Sequence, residues 1–254
     1  MDHRRPITHV GDMDRTPLKV SAFGLTDVGK VRSLNEDNLI LRDRLCLWAV
    51  ADGMGGHARG DFASETVVEY LGHVRPWAQP RPLLFDVVAR LEDANTRLRD
   101  EAAAGGDEAI GATVVCLLFL DTQGLVVWAG DSRAYRLRRG TLEQLSRDHS
   151  VVEELVEAGL LDPSEAESHP HAHILTRAIG AADSLDLDFE RFTLESGDIY
   201  LLCSDGLSRM VPDDEIAAIL RSGGPMDTIC ERLVQTSLDR GAPDNVTVIA
   251  VRVD

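Results

Sequence analysis

Cysteine is scarce in this chain: Cys46, Cys116, Cys203 and Cys230 are the four in 254 residues. That is too few for a disulfide framework. Each lies in an apolar setting, such as Leu45-Cys46-Leu47, which suits small buried thiols in a reducing compartment. No CxxC or paired Cys/His spacing offers a zinc site. Long apolar runs are missing too. The longest, 114–120, is strand-sized and far short of the roughly 18 residues of a membrane span. Residues 1–19 carry charge and proline but no apolar block, so they do not read as a signal peptide. The expectation is a disordered leader over 1–19, one domain over 20–254, and a cytoplasmic, monomeric protein that neither binds nor crosses membranes. Basic residues are the third shortage: 26 Lys and Arg face 43 Asp and Glu, a net charge of −17. Without a basic cluster, such a chain repels a nucleic-acid backbone. What is present excludes disorder, because 44% of the residues are hydrophobic.

Apolar spacing alternates between strand-like and helix-like segments. Residues 20–26 and 45–51 read as strands. Ala63, Val67, Tyr70 and Leu71 have helical spacing, and Leu84, Val87, Val88, Leu91, Ala94 and Leu98 mark a longer helix. Residues 113–120, 125–129 and 134–137 read as hairpin strands, with turns at Gln123-Gly124 and Arg139-Gly140. A polar segment over 147–180, with His169, His171 and His173, reads as a flap carrying one short helix. Strands follow at 187–194 and 199–203, then two helices and a last strand at 246–253. Helices in two groups around hairpin strands give an α+β layered sandwich.

The informative pattern is an apolar strand running straight into an aspartate. Residues 47–51 end in Asp52-Gly53, 126–130 in Asp131-Ser132 and 200–204 in Asp205-Gly206. Asp244-Asn245 opens the last strand, and Glu36-Asp37 precede a strand at 38–41. One Asp-Gly is most simply a turn. Repetition at the ends of rigid strands instead converges acids on one rim, where they need a shared cation or raised pKa values. Hard oxygen donors with few His or Cys nearby favour Mg²⁺ or Mn²⁺ over zinc. One acid bridging two ions would activate water and clamp a phosphoryl group for in-line attack. Arg32, just upstream of Glu36-Asp37, supplies the fork that grips two phosphate oxygens.

The segments Arg32–Asp37, Ala51–His57, Gly111–Thr113, Gly130–Ala134, Leu175–Gly180, Cys203–Leu207 and Asp244–Thr247 occur in an order that resembles the metal-dependent serine/threonine protein phosphatases of type 2C (the PPM family), in their compact bacterial form. The resemblance runs from about residue 20 to 253. It implies a four-layer α-β-β-α sandwich, two antiparallel sheets flanked by helices, with metals in a cleft at one end. It implies that Asp52 bridges two Mn²⁺ or Mg²⁺ ions and that Asp205 and Asp244 complete the ligands of one. The Gly53 carbonyl serves the other, with Glu36 or Asp37 close by or acting through water. Asp131 with Asp205 holds a third, weaker ion. Arg32 binds the phosphate and Asn245 supports the Asp244 end. The partners implied are phosphorylated proteins, Ser/Thr kinases or their substrates among them.

One position departs from the family. Animal members place a histidine directly after the Asp-Gly pair as general acid; here it is Met54, which has no proton to give. His57, three residues on, is the candidate acid in its place, against the alternatives of a structural residue at a helix start and protonation by water. The histidines of the flap read as exposed side chains concerned with substrate choice. Two rivals remain. Cys203 and Arg209 have the Cys-x₅-Arg spacing of cysteine phosphatases, but Cys203 sits in an apolar strand and Asp205 would repel a phosphate from such a loop. A fold that only binds phosphoproteins would lack principal acids, and all are present.

Overall fold

The structure is a computed structural model that describes residues 19–55, 59–76, 79–105, 110–166 and 169–254. The expected leader, apart from Lys19, lies outside them. In chain order the elements are β1 (Val20–Asp27), β2 (Asp37–Arg42), β3 (Leu47–Gly55), α1 (Gly60–Gly72), α2 (Pro80–Gly105), β4 (Ile110–Ala112), β5 (Val114–Leu120), β6 (Gln123–Ala129), β7 (Arg133–Arg138), β8 (Thr141–Gln144), α3 (Val151–Glu157), β9 (Asp188–Thr193), β10 (Ile199–Cys203), α4 (Asp205–Ser208), α5 (Asp213–Arg221), α6 (Met226–Asp239) and β11 (Val246–Val253). Among the described residues no helix is long and apolar enough to cross a membrane.

The strands form two antiparallel sheets. One has the order β1-β11-β10-β7-β8; the other has β2-β3-β5-β6-β9, with β4 pairing β3. Their near-continuous apolar strands are buried on both faces, and the period of two decides which side chain meets which layer. In β3, Leu47, Ala49 and Ala51 face α1 and α2, whereas Trp48 and Val50 face the other sheet. In β10, Leu201 and Cys203 pack under α5 and α6, whereas Tyr200 and Leu202 turn inward. Aromatic side chains fill the space between the sheets. Trp48 meets Phe119 edge-on at 5.1 Å, and Phe119 meets Tyr200 at 5.0 Å. The Trp48 indole N–H donates to Asp43 Oδ1 at 2.9 Å, so its one polar group is satisfied. The result is the four-layer α-β-β-α sandwich.

Local departures from the sequence expectation have physical causes. The turn between β5 and β6 falls at 121–122, where Asp121 takes the left-handed conformation (φ 55°), and not at Gln123-Gly124. Gly124 is a strand residue because the Phe192 ring lies across it: a Cβ there would meet that ring at 2.0 Å. Strand β3 starts at Leu47, since a 3₁₀ turn over Asp43–Leu45 ends in a left-handed Cys46 (φ 48°). Cys46 is accordingly half-buried, unlike the other three cysteines. Strand β8 lies outside the sequence expectation, because its alternately exposed and half-buried Thr141, Leu142, Glu143 and Gln144 carry little apolar signal. In the flap, α3 is capped by Ser150, whose hydroxyl accepts from the Glu153 N–H at 3.3 Å.

Candidate active site

The strand ends bring the acids together by register. Pairing of β2 with β3 sets Asp37 directly opposite Asp52. Asp205 begins α4 just past β10, Asp131 follows β6, and Asp244 precedes β11. The two sheets are tied where they meet. The Ser204 hydroxyl donates to Asp37 Oδ2 at 2.7 Å and accepts from the Thr247 N–H at 3.0 Å. Asn245 is a three-way strut: its Oδ1 accepts from the Glu36 N–H at 2.7 Å, and its Nδ2 donates to the carbonyls of Val28 and Leu34. Glu36 in turn accepts from the Gly60 N–H at the start of α1, at 3.1 Å. Glycine is required at Gly53, where a Cβ would lie 1.9 Å from the Gly60 carbonyl and 2.7 Å from that of Glu36.

Arg32, Asp52, Gly53, Met54, Asp131 and Asp244 are among the residues lining one cavity of about 380 Å³. Burial pushes Asp52 well above the ordinary carboxylate value, and the neighbouring charges of Asp37, Asp205, Asp131 and Asp244 push the same way. Burial likewise raises Asp37, Asp131 and Asp205 to about 6, against the Ser204 hydroxyl at Asp37 and the Arg209 guanidinium at the other two. Among the described residues no three such side chains are gathered about a single point; Asp52, Asp131, Asp205 and Asp244 are distributed around the cavity wall. Arg32 Nη2 donates to Asp244 Oδ2 at 2.8 Å. Arg209 donates to Asp131 Oδ2 at 2.9 Å and lies 2.8 Å from Asp205 Oδ2. The donor set, carboxylate with backbone carbonyl, fits a hard divalent cation, which would relieve this like-charge burial.

Most of the expected site residues therefore share one cavity, with Glu36 among its lining residues and Asn245 buried behind. Asp37 is buried against Ser204. His57 lies outside the described residues. Met54 faces the cavity, 36% exposed. Of the flap histidines, His173 reaches the cavity wall, while the rings of His169 and His171 pack against each other at 5.3 Å. Thr113 and Ser132 share a hydroxyl–hydroxyl bond of 2.7 Å, and Thr113 Oγ1 also accepts from the Asp52 N–H. The Cys203 thiol is fully buried and burial pushes it up to about 12, so it is no nucleophile at neutral pH.

His149 escaped sequence reasoning. Its Nδ1 accepts from the Gly130 N–H at 3.2 Å, so Nε2 carries the proton toward Asp188 Oδ2 at 3.1 Å. Gly130 has φ 110°, and a Cβ there would meet Thr113 at 2.5 Å. His149 thus fixes the turn that presents Asp131, and its carbonyl accepts from the Thr176 N–H at the end of the flap. Nothing in its sequence neighbourhood signals partners 19 and 39 residues away.

Residues 30–245 match the family described as Protein phosphatase 2C. The chain is 38% identical over 241 residues to Protein phosphatase PhpP of Streptococcus pneumoniae, covering 91% of this chain and 96% of that protein. PppA, a key regulatory component of T6SS in Pseudomonas aeruginosa, has a structure similar to this one with a TM-score of 0.87 at 38% identity, over 93% of this chain and 99% of that one. The catalytic domain of the serine/threonine protein phosphatase PstP, solved in complex with two manganese ions, matches with a TM-score of 0.83 at 34% identity, over 92% of this chain and 99% of that one. With a family match over most of its length and relatives above 30% identity across nearly their whole length, this chain belongs to the protein phosphatase 2C family.

Proposed function

We propose that this chain is a metal-dependent protein serine/threonine phosphatase that hydrolyses phosphoserine and phosphothreonine monoesters directly, with no phosphoenzyme. The observation that carries the reading is the set of carboxylates Asp52, Asp131, Asp205 and Asp244 lining one cavity with Arg32 at its wall, with Asp37 buried beside Ser204 and paired opposite Asp52. Asp37, Asp52, Asp205, Asp244 and the Gly53 carbonyl are the groups that would hold the ions. Two Mn²⁺ or Mg²⁺ ions held there would supply an activated water and neutralise the charge of the phosphoryl group. The chain's own residues orient the phosphate. Arg32 is 49% exposed and paired with Asp244, so it can turn its fork from that carboxylate onto a phosphate at the cavity mouth. Asn245, through Glu36 and the 28–34 loop, keeps Arg32 in reach of the acids. Among the described residues, the Thr113 hydroxyl at the cavity wall is tied to Ser132 and to the Asp52 N–H, and the Cys203 thiol is buried outside the cavity lining, which favours direct attack by water. Phosphorylated proteins are the partners this assigns, in line with the names of the relatives, with Ser/Thr kinases or their substrates as the finer assignment.

The test is turnover of a phosphothreonine peptide with Mn²⁺, with chelator, and after thiol alkylation. Activity should need Mn²⁺ and survive alkylation. Asp52→Asn should lose at least ~100-fold in kcat with an unchanged circular-dichroism spectrum. Activity that persists in chelator would overturn the metal-dependent reading.

A further inference from the structure

Arg209, which sequence spacing paired with Cys203, points away from that thiol and into the cleft. It caps the C-terminus of α4, one turn beyond Asp205, and its N–H donates to the Asp205 carbonyl at 2.9 Å. The side chain folds back along that turn. Nη1 lies 2.8 Å from Asp205 Oδ2, and Nη2 donates to Asp131 Oδ2 at 2.9 Å. A single guanidinium thereby spans two carboxylates that come from different sheets, one after β6 and one after β10. Both aspartates are buried, whereas the Arg209 side chain is 37% exposed. Arg209 also separates two spaces. It lines the cavity that holds Asp52, and it lines an adjoining cavity of about 320 Å³ beside Ser150 and Val152 of the flap.

We propose that Arg209 is a resident cation of the cleft: it bridges Asp131 and Asp205, so a divalent ion gains those two carboxylates together only by displacing the guanidinium into the adjoining cavity. One oxygen of each carboxylate is already engaged, and a guanidinium and a divalent ion between the same two acids repel one another. A flexible arginine stem with free volume beside it makes displacement feasible at a cost in affinity. The Asp131–Asp205 pair is thereby neutralised in part without metal, whereas among the described residues Asp52 has no arginine hydrogen-bonded to it. Any ion shared by Asp131 and Asp205 therefore binds more weakly than those held through Asp52, and Arg209 sets the difference.

The inference rests on the phosphatase reading for the ions held through Asp52, and the experiment separates the two. Mn²⁺ bound to the full chain is counted by electron paramagnetic resonance for the wild type, Arg209→Ala, Arg209→Lys and the double variant Arg209→Ala/Asp131→Asn. The wild type should bind two tight equivalents and a further one much more weakly. Arg209→Ala should tighten that further equivalent at least tenfold, and adding Asp131→Asn should remove the gain. In chelator Arg209→Ala should melt below the wild type, and Mn²⁺ should close the gap. Arg209→Lys keeps the charge but reaches only one carboxylate at a time, so a smaller tightening is expected; it decides the matter if the alanine variant does not fold. Unchanged binding of the further equivalent overturns the role of Arg209 and leaves the phosphatase reading intact. A wild type that binds no Mn²⁺ tightly overturns both.

Discussion

Asp198 and Asp37 are both buried aspartates, yet their surroundings push them in opposite directions. Burial alone would raise Asp198, but Arg138 forks onto both its oxygens at 2.8 and 2.6 Å. The Tyr200 hydroxyl and the Glu195 N–H add bonds of 2.9 Å each, and the net effect holds it below the ordinary carboxylate value. Asp37 has the Ser204 and Thr247 hydroxyls to oppose burial and two acidic neighbours to reinforce it, and ends near 6. An acid with its own arginine is a structural tie; an acid raised among acids is one that a cation would relieve. Asp198→Asn should therefore cost about 2–4 kcal/mol of stability, because it strips Arg138 of the buried one of its two carboxylate partners and leaves only the more exposed Glu195. The pH dependence follows in sign. A depressed folded-state pKa contributes stability that is present above the unfolded value of about 4 and is lost as pH falls through the folded value. Urea unfolding of both proteins should show a gap that is constant above about pH 5 and narrows below about pH 4. A gap that stays constant across that range would remove Asp198 from this role.

At the scale of elements, the site depends on how closely α4 approaches the start of β11. A Cβ on Gly206 would lie 1.8 Å from the Asn245 carbonyl, a backbone atom that cannot rotate aside. Gly206→Ala should push α4 off β11, separate Asp205 from Asp244, and cost about 1–3 kcal/mol together with a loss of Mn²⁺-dependent turnover. Gly197→Ala is the control: its φ of +89° is strained but nothing lies within 4 Å, so it should lose about 1–2 kcal/mol and leave turnover intact. Equal turnover in the two variants would show that the α4–β11 contact does not set the site. The same elements show what a sequence can and cannot convey. Buried strands such as 199–203 and 246–253 are legible because both faces are apolar, and their terminal acids are legible because a rigid strand must end somewhere specific. Register is not legible: that Asp37 faces Asp52 depends on pairing of β2 with β3. The half-exposed β8 has too little apolar contrast to be seen, and Gly124 imitated a turn because Phe192 covers it. His149 is not legible as a site residue because its partners arrive from distant elements, and Arg209 because Asp131, the second acid it spans, lies 78 residues away.

For the whole molecule, a net charge of −17 has two separable parts. Surface acids respond to ionic strength, whereas the carboxylates at the sheet ends respond to a bound cation of the right size and charge. Thermal melting distinguishes them. If two divalent sites are built into the fold, Mn²⁺ at about 100 times its dissociation constant stabilises the folded state by about 2.7 kcal/mol per site. For a chain of this size, each such site raises the melting temperature by roughly 5–10 °C. Sodium chloride at matched ionic strength screens the surface acids but does not bridge buried ones, so its effect should be no more than about 1–2 °C. Asp52→Asn removes the shared ligand and should abolish most of the Mn²⁺ shift while leaving the sodium response unchanged. A sodium shift as large as that of Mn²⁺ would make the acidity a general surface property and deny the converged carboxylates their part in it. A shift confined to divalent ions, and lost with Asp52, would tie the stability of both sheets to the cation held where they meet.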